Sequence, residues 1–302
     1  MDGIFYRHLQ ELLEEGQCFA QEPMGRHTTF RAGGPADYYV RPARRQIQPV
    51  LSLCRQYGVP WMVIGNGSNI LVGDKGVRGL VMEIGKMADK VSVDGTRVTA
   101  EAGALLSTVA HLAAGHGLTG MEFAAGIPGS IGGAAVMNAG AYGGEMKHIL
   151  DRVAVLTEEG EEKYLGLEEL DLGYRHSCIP ENHYIVLQAE LQLAKGNKDA
   201  IYQKMEELKG RRVQKQPLEY PSAGSTFKRP EGYFAGKLIQ DAGLLGYQVG
   251  GAQVSEKHCG FVINKEQASA AEIRQLIADV QDRVEEKSGV RLEPEVKFIG
   301  EF

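Results

Sequence analysis

No two of the four cysteines, Cys18, Cys54, Cys178 and Cys259, form a C-x-x-C pair. That excludes a zinc ribbon and a redox dithiol. Isolated thiols of this kind read as reduced, small apolar side chains of a cytoplasmic protein. The eight histidines show no H-x-x-x-H pair and no Cys–His spacing, so no metal site is expected. No stretch approaches the ~20 apolar residues of a membrane span. Met1 to Gly16 carries Glu11, Glu14 and Glu15 where a secretion signal would be apolar. A basic surplus is missing too. The net charge of −6 disfavours a nucleic-acid surface, while a few local Lys and Arg still suffice for a small anionic ligand. There is no internal repeat and no low-complexity tract.

What is present is a globular composition, 43% apolar and 24% charged, with 39 glycines in 302 residues. That length exceeds one ordinary core and predicts two or three domains. Ile4, Phe5, Leu9, Leu12 and Leu13 fall at helical spacing before Gly16. A second helix is expected over 45–57, with Gly58-Val59-Pro60 as its stop. Trp61–Ile64 and Leu80–Ile84 read as strands, and Val91–Val98 as a hairpin around Asp94-Gly95. A helix over 105–116 and strands over 151–156 and 183–193 follow. From about residue 200 a charged helix (201–212) leads to Pro217 and Pro221, a hinge into another body. Ser269-Ala270-Ala271-Glu272 is a capping box opening an amphipathic helix that runs to Val284. Leu292, Pro294, Val296 and Phe298 then alternate with Glu293, Glu295 and Lys297, the period of a strand. The elements do not alternate cleanly as βαβ, which counts against a doubly wound nucleotide fold.

Five short segments can carry chemistry. In Val63 to Leu71 a strand breaks into Gly65-Asn66-Gly67-Ser68-Asn69. Glycines there let backbone N–H groups turn toward one anion, and a pyrophosphate fits such a nest. Ile70 stands where a dinucleotide fingerprint needs a third glycine, and an ordinary tight loop would read the same way. Residues 124–144 hold Gly126, Gly129, Gly132, Gly133, Gly140, Gly143 and Gly144. So many glycines build no stable helix or strand without a use for bare backbone. That use is either a flat ring laid against Ala125-Gly126-Ile127-Pro128-Gly129-Ser130 or close packing of turns. No Gly-Lys-Ser/Thr follows, so this is no Walker loop. Tyr174-Arg175-His176-Ser177 is a loop with one Arg, which alone reads as a surface charge. Ser225, in Ala223-Gly224-Ser225-Thr226-Phe227-Lys228-Arg229, lacks the frame of a hydrolase nucleophile. Glu293-Pro294-Glu295 places two acids on one strand face, an arrangement most often solvated.

In order and spacing these pieces resemble the UDP-N-acetylenolpyruvoylglucosamine reductase (MurB) family, in the shorter form common in Gram-positive bacteria. The likeness runs from His27-Thr28-Thr29-Phe30-Arg31-Ala32-Gly33-Gly34 to Phe298-Ile299-Gly300 and includes Asn138-Ala139-Gly140-Ala141-Tyr142-Gly143 and Glu293-Pro294-Glu295-Val296. It implies an α+β protein with a vanillyl-alcohol-oxidase/PCMH-type FAD-binding fold and a C-terminal α+β substrate-binding domain. Residues 1–84, completed by 291–302, would form one FAD-binding subdomain, 85–200 the second, and 201–290 the substrate-binding domain. The resemblance also implies FAD and NADPH as cofactors, UDP-N-acetylglucosamine enolpyruvate as substrate, and a monomer without nucleic-acid or membrane partners. FAD contacts would come from Gly65, Asn66, Gly67, Ser68 and Asn69 at the pyrophosphate. Gly126, Pro128, Gly129, Ser130, Gly133, Val136, Gly140, Val186 and Arg212 would provide the rest. Tyr142, Lys215 and Arg229 would meet the substrate.

By the same resemblance, NADPH reduces the flavin, which passes hydride to C3 of the enolpyruvyl ether. Negative charge then collects on C2 and its carboxylate, facing Arg175 and Glu295. Ser225 returns a proton to C2 as general acid. Two features depart from many relatives: Arg229 stands in place of Asn, and the Tyr-bearing substrate loop of the longer forms is absent. Two rivals share the pyrophosphate turn. An FAD oxidase of this fold would use oxygen and not need Ser225. A flavin-binding module would lack the Arg175, Ser225 and Glu295 set.

Overall fold

The computed structural model describes residues 3–302. Its chain divides into two units, each assembled from three separated stretches. The first holds the stretch ending at Phe19 together with Tyr38–Asn66 and Leu80–Arg212. The second holds Ala20–Asp37, Gly67–Gly79 and Val213–Phe302. The backbone therefore crosses from one to the other after Phe19, Asp37, Asn66, Gly79 and Arg212.

In the first unit, helix Gly3–Leu12 buries Phe5 and Leu9, the residues that its apolar stripe singles out. Helix Arg44–Tyr57 buries Ile47, Val50, Leu51 and Cys54 and stops at Gly58, whose φ of 63° is the left-handed cap that glycine adopts without cost. Trp61–Ile64 then pairs parallel with residues 80–83 of strand Val77–Glu83. The main sheet is antiparallel and five-stranded, in the order Glu162–Gly166, Leu150–Leu156, Ile185–Gln192, Arg97–Glu101, Val91–Asp94. Asp94-Gly95 makes the expected hairpin turn, with Gly95 at φ 59°. Helix Ile131–Met137 lies against two of these strands. Ile131, Ala135, Val153, Val155, Ala189 and Leu191 are fully buried together. Each large side chain among them contributes about 1.5–3 kcal/mol by leaving water.

In the second unit, helix Ala270–Ser288 turns Ile273, Leu276, Ile277, Val280 and Val284 inward, toward a three-stranded sheet of Gln248–Val249, Ala252–Val254 and Val262–Asn264. Its start is fixed twice. Ser269 and Glu272 form the reciprocal capping box, and the Asp74 carboxylate accepts the Ala270 and Ala271 N–H groups, both at 2.8 Å. Lys297–Ile299 pairs parallel with Ile70–Val72.

The closing segment is less of a strand than its alternation predicts. Only Lys297–Ile299 is one. Leu292 and Val296 are buried as expected, but Phe298 is 39% exposed and sits edge-on to Phe302. Residues 293–295 make only a bridge to residues 226–228, in which Pro294 takes the position opposite Phe227 where no N–H is needed. Among the described residues no helix is long and apolar enough to cross a membrane.

Candidate active site

Within the Gly65-Asn66-Gly67-Ser68-Asn69 turn, Gly65 and Asn66 belong to the first unit and Gly67 to Asn69 to the second. On the first unit's side it meets the other glycine-rich segment. A Cβ on Gly65 would overlap Ser130 Oγ, and Asn66 Nδ2 donates to the Pro128 carbonyl at 2.8 Å. Ser130 caps helix Ile131–Met137 by accepting from Gly133 N–H. Leu106 N–H bonds the Gly129 carbonyl at 2.9 Å, and Ile131 N–H bonds the Ala104 carbonyl at 2.8 Å.

The glycines of this segment separate into two kinds. A Cβ on Gly132 would stand 2.9 Å from the Ala102 methyl, one on Gly140 2.6 Å from the Gly144 carbonyl oxygen, and one on Gly144 2.5 Å from the Phe123 ring. These serve close packing, which is how a tract of glycines can hold a short helix and the two-stranded pairing of Gly140–Ala141 with Gly144–Glu145. Gly126 and Gly133 are exposed instead, as is Pro128. A Cβ on Gly133 would meet nothing nearer than Ser130 Oγ at 3.5 Å. Here the bare backbone is open to a ligand.

Arg212 borders that surface. Its Cδ is 3.3 Å from where a Gly126 Cβ would be. The guanidinium is half-buried and has no acidic partner among the described residues. Burial pushes its pKa down, with Tyr142 acting in the opposite direction. A cation kept partly from water without a counter-ion is suited to a phosphate or another anion. Of the two valines, Val136 is half-buried and Val186 is buried in its strand.

Arg175 and Tyr142 are both held with left-handed backbone, at φ 55° and 53°. Non-glycine residues occupy that region only where surrounding structure over-determines them, and such strain gathers at functional positions. Buried Asn138, itself at φ 40°, supplies the constraint. Its Nδ2 donates to Glu145 Oε2 and to the Gly173 carbonyl, both at 2.9 Å, and its Oδ1 accepts from Lys147 N–H. Ser177 Oγ adds a bond to the Val136 carbonyl at 2.7 Å. The Arg175 guanidinium lies over the Tyr174 ring and 3.5 Å from the Gly140 carbonyl. In the sequence Asn138 stands only as the first residue of the Asn138–Gly143 motif, with no role of its own expected. Its signal was available: a lone amide ahead of Ala-Gly at the end of a small-residue run is the side chain that tolerates a left-handed helix stop.

In the second unit, Gly67 has φ 61° and no room for a Cβ, which would overlap the His27 carbonyl oxygen. Its own carbonyl accepts from Thr29 N–H at 3.1 Å. Thr29 Oγ1 is buried without a hydrogen-bond partner among the described residues. Ser68 and Asn69 are half-buried. Asn69 reaches the Glu295 backbone, donating to its carbonyl at 3.2 Å.

The segments that carry Ser225 and Glu295 are joined there through the backbone. Thr226 donates its N–H to the Gly260 carbonyl and accepts Glu295 N–H on its own carbonyl, both at 2.8 Å. Ser225, exposed and preceded by Gly224 at φ 77°, therefore sits one residue from the bond that carries half-buried Glu295. Lys215 is exposed at the end of helix Lys198–Lys215. Arg229 is spread over the Phe234 ring, 4.1 Å away, with Nε donating to the Tyr233 carbonyl.

Residues 216–299 match the family model described as the UDP-N-acetylenolpyruvoylglucosamine reductase C-terminal domain, and residues 36–166 match an FAD binding domain. The chain is 56% identical to the UDP-N-acetylenolpyruvoylglucosamine reductase of Agathobacter rectalis, with 100% of both chains covered. The chain belongs to the UDP-N-acetylenolpyruvoylglucosamine reductase family. The reductase of Caldanaerobacter subterraneus subsp. tengcongensis is 51% identical, again with 100% of each covered. The crystal structure of the MurB reductase from Thermus caldophilus aligns with a TM-score of 0.79 at 35% identity, covering 94% of this chain and 98% of that one. An alkyldihydroxyacetonephosphate synthase aligns with a TM-score of 0.50 at 17% identity over 65% of this chain and 41% of that one, and shares the fold alone. The chain is thus a flavin-dependent oxidoreductase with the vanillyl-alcohol-oxidase/PCMH-type FAD-binding fold and an α+β C-terminal domain.

Proposed function

We infer that this chain reduces the enolpyruvyl group of UDP-N-acetylglucosamine enolpyruvate to give UDP-N-acetylmuramate, a step of peptidoglycan precursor synthesis. NADPH is the electron donor, the enzyme is a cytoplasmic monomer, and no nucleic acid or membrane takes part. Residues 1–84 with 291–302, residues 85–200 and residues 201–290 serve as two FAD-binding subdomains and a substrate-binding domain. The observation that supports the reading is the backbone pairing of residues 226–228 with 293–295, which joins the segment that follows Ser225 to the segment that carries Glu295 within the part matched to the family's C-terminal domain.

The residues present fit FAD. Open backbone at Gly126 and Gly133 suits a flat ring, and the counter-ion-free Arg212 suits a phosphate. Gly65 to Asn69 would hold the pyrophosphate. Pro128, Gly129, Ser130, Val136, Gly140 and Val186 would hold the remainder. Bound FAD supplies the means of accepting and delivering hydride.

The chain's own groups manage charge and protons. Arg175 faces the charge that gathers on C2 and the carboxylate of the reduced substrate, where a preorganised cation is most effective. Glu295 shares in this only while protonated or shielded by a neighbour, since a bare carboxylate would repel an enolate. Ser225 gives its proton to C2. A hydroxyl is a weak acid, but the enolate is a strong base, so the transfer runs downhill. Lys215 and Arg229 offset the charge of the diphosphate, and Tyr142 lies along the substrate.

The test is one of colour. The purified protein should be yellow, NADPH should bleach it without oxygen, and UDP-N-acetylglucosamine enolpyruvate should restore the colour, still without oxygen. Recovery only on admitting air would make it an oxidase. No bleaching and no turnover would leave only a flavin-binding module.

A further inference from the structure

His258 belongs to no motif considered so far, yet it is tied to the Ser225 segment by a chain of bonds. Its Nδ1 accepts the Gly260 N–H at 3.0 Å. The Gly260 carbonyl in turn accepts the Thr226 N–H at 2.8 Å, and Thr226 Oγ1 accepts the Val262 N–H at 2.9 Å. Thr226 is fully buried and is the residue next to Ser225. The loop carrying His258 is itself closed: Ser255 N–H bonds the Phe261 carbonyl, and Ser255 Oγ accepts the His258 N–H. The imidazole is seated between glycines. A Cβ on Gly260 would stand 2.9 Å from His258 Cε1, and one on Gly236 3.5 Å from it. The Phe261 ring packs edge-on at 5.1 Å.

We propose that His258 is a positioning residue for proton delivery: its unprotonated Nδ1 fixes Gly260, and Gly260 fixes Thr226 and with it the Ser225 hydroxyl. This rests on the reading of Ser225 as proton donor. An acceptor is essential because the partner is a backbone N–H. Protonation would place N–H against N–H, break the bond and release the segment that carries Ser225. The surroundings keep the ring neutral. Burial lowers its pKa, a backbone hydrogen bond opposes this, and Lys215 adds repulsion. The other nearby charges are otherwise engaged: Lys257 pairs with Glu219, and Lys237 with Asp241. The sign follows. With its pKa depressed, the ring is neutral above the ordinary imidazole range, and the arrangement is lost as pH falls through the lowered value.

The test uses the FAD-loaded protein and reads two half-reactions by stopped-flow: bleaching by NADPH, and return of colour with the enolpyruvyl substrate. His258→Asn keeps an acceptor oxygen at the Nδ1 position and cannot titrate. His258→Leu has no acceptor. In His258→Leu, colour return should slow on the order of tenfold to a hundredfold, the range expected for displacement of a reacting group by a fraction of an ångström to 1 Å. Bleaching should stay within about twofold. His258→Asn should recover most of the rate and lose the acid limb of the colour-return pH profile. The proposal is overturned if His258→Leu matches wild type, if it slows both half-reactions alike, or if the acid limb persists in His258→Asn. That last criterion stands even where the leucine variant does not fold. Failure of wild type itself to regain colour would instead refute the substrate assignment.

Discussion

Replacing Arg212 with Met should weaken FAD binding without weakening the empty protein. Met keeps the apolar stem beside Gly126 and removes only the charge. In the protein without ligand that charge is half-buried and has no acidic partner among the described residues, and burial already lowers its pKa. Its removal therefore forfeits no ion pair and relieves desolvation, so the apo melting temperature should hold or rise. The holo form behaves differently. A hydrogen bond to a charged group contributes about 1.5–3 kcal/mol, so the FAD dissociation constant should rise roughly 10- to 150-fold. Titration of apoprotein followed by flavin fluorescence measures the second quantity, and a thermal melt of the same sample the first. An apo melting temperature several degrees lower with FAD affinity intact would show that Arg212 is structural and that the anion site lies elsewhere.

Ser225→Ala should leave bleaching by NADPH near wild type and slow product formation by roughly 10²–10⁴-fold, the usual contribution of a general acid. Rapid-mixing spectra in the two half-reactions separate these, and normal turnover would remove Ser225 from the mechanism. Gly144→Ala should cost about 1–3 kcal/mol in a denaturant melt, because its Cβ would lie 2.5 Å from the Phe123 ring. Gly133→Ala, facing open space, should cost far less in the melt and show its effect on FAD affinity. Burial pushes the thiol of Cys18 up to about 11 and that of Cys54 up to about 12. Both should resist a thiolate-specific reagent at pH 8 in the folded protein and react once it is denatured.

The sequence made the long elements legible and left the local geometry hidden. The stripe of Ile273, Leu276, Ile277, Val280 and Val284 and its Ser269–Glu272 box read directly as the helix that is found, because period and cap agree. The 124–144 segment shows the opposite. Its composition announces a need for bare backbone but not the reason, and only the neighbours Ala102 and Phe123, both distant in sequence from some of the glycines they crowd, separate packing positions from open ones. The final alternation promised a longer strand than Lys297–Ile299, because a period of two marks which side chains turn inward but not how far a ladder of backbone bonds extends. Ser225, Arg175 and Glu295 stood out through the family resemblance alone. His258 had no local mark, since its importance lies in a bond to Gly260 and what Gly260 holds in turn.

The five crossings of the backbone bear on how this molecule is made. The parallel pairing of Ile70–Val72 waits for Lys297–Ile299, more than two hundred positions later in synthesis. Asp74 likewise has no helix start to cap until Ala270 has emerged. Contacts of such span are slow to close. A nascent chain would carry residues 67–79 without their C-terminal partners for most of its time on the ribosome, and no single cut could release either unit as a continuous fragment for expression.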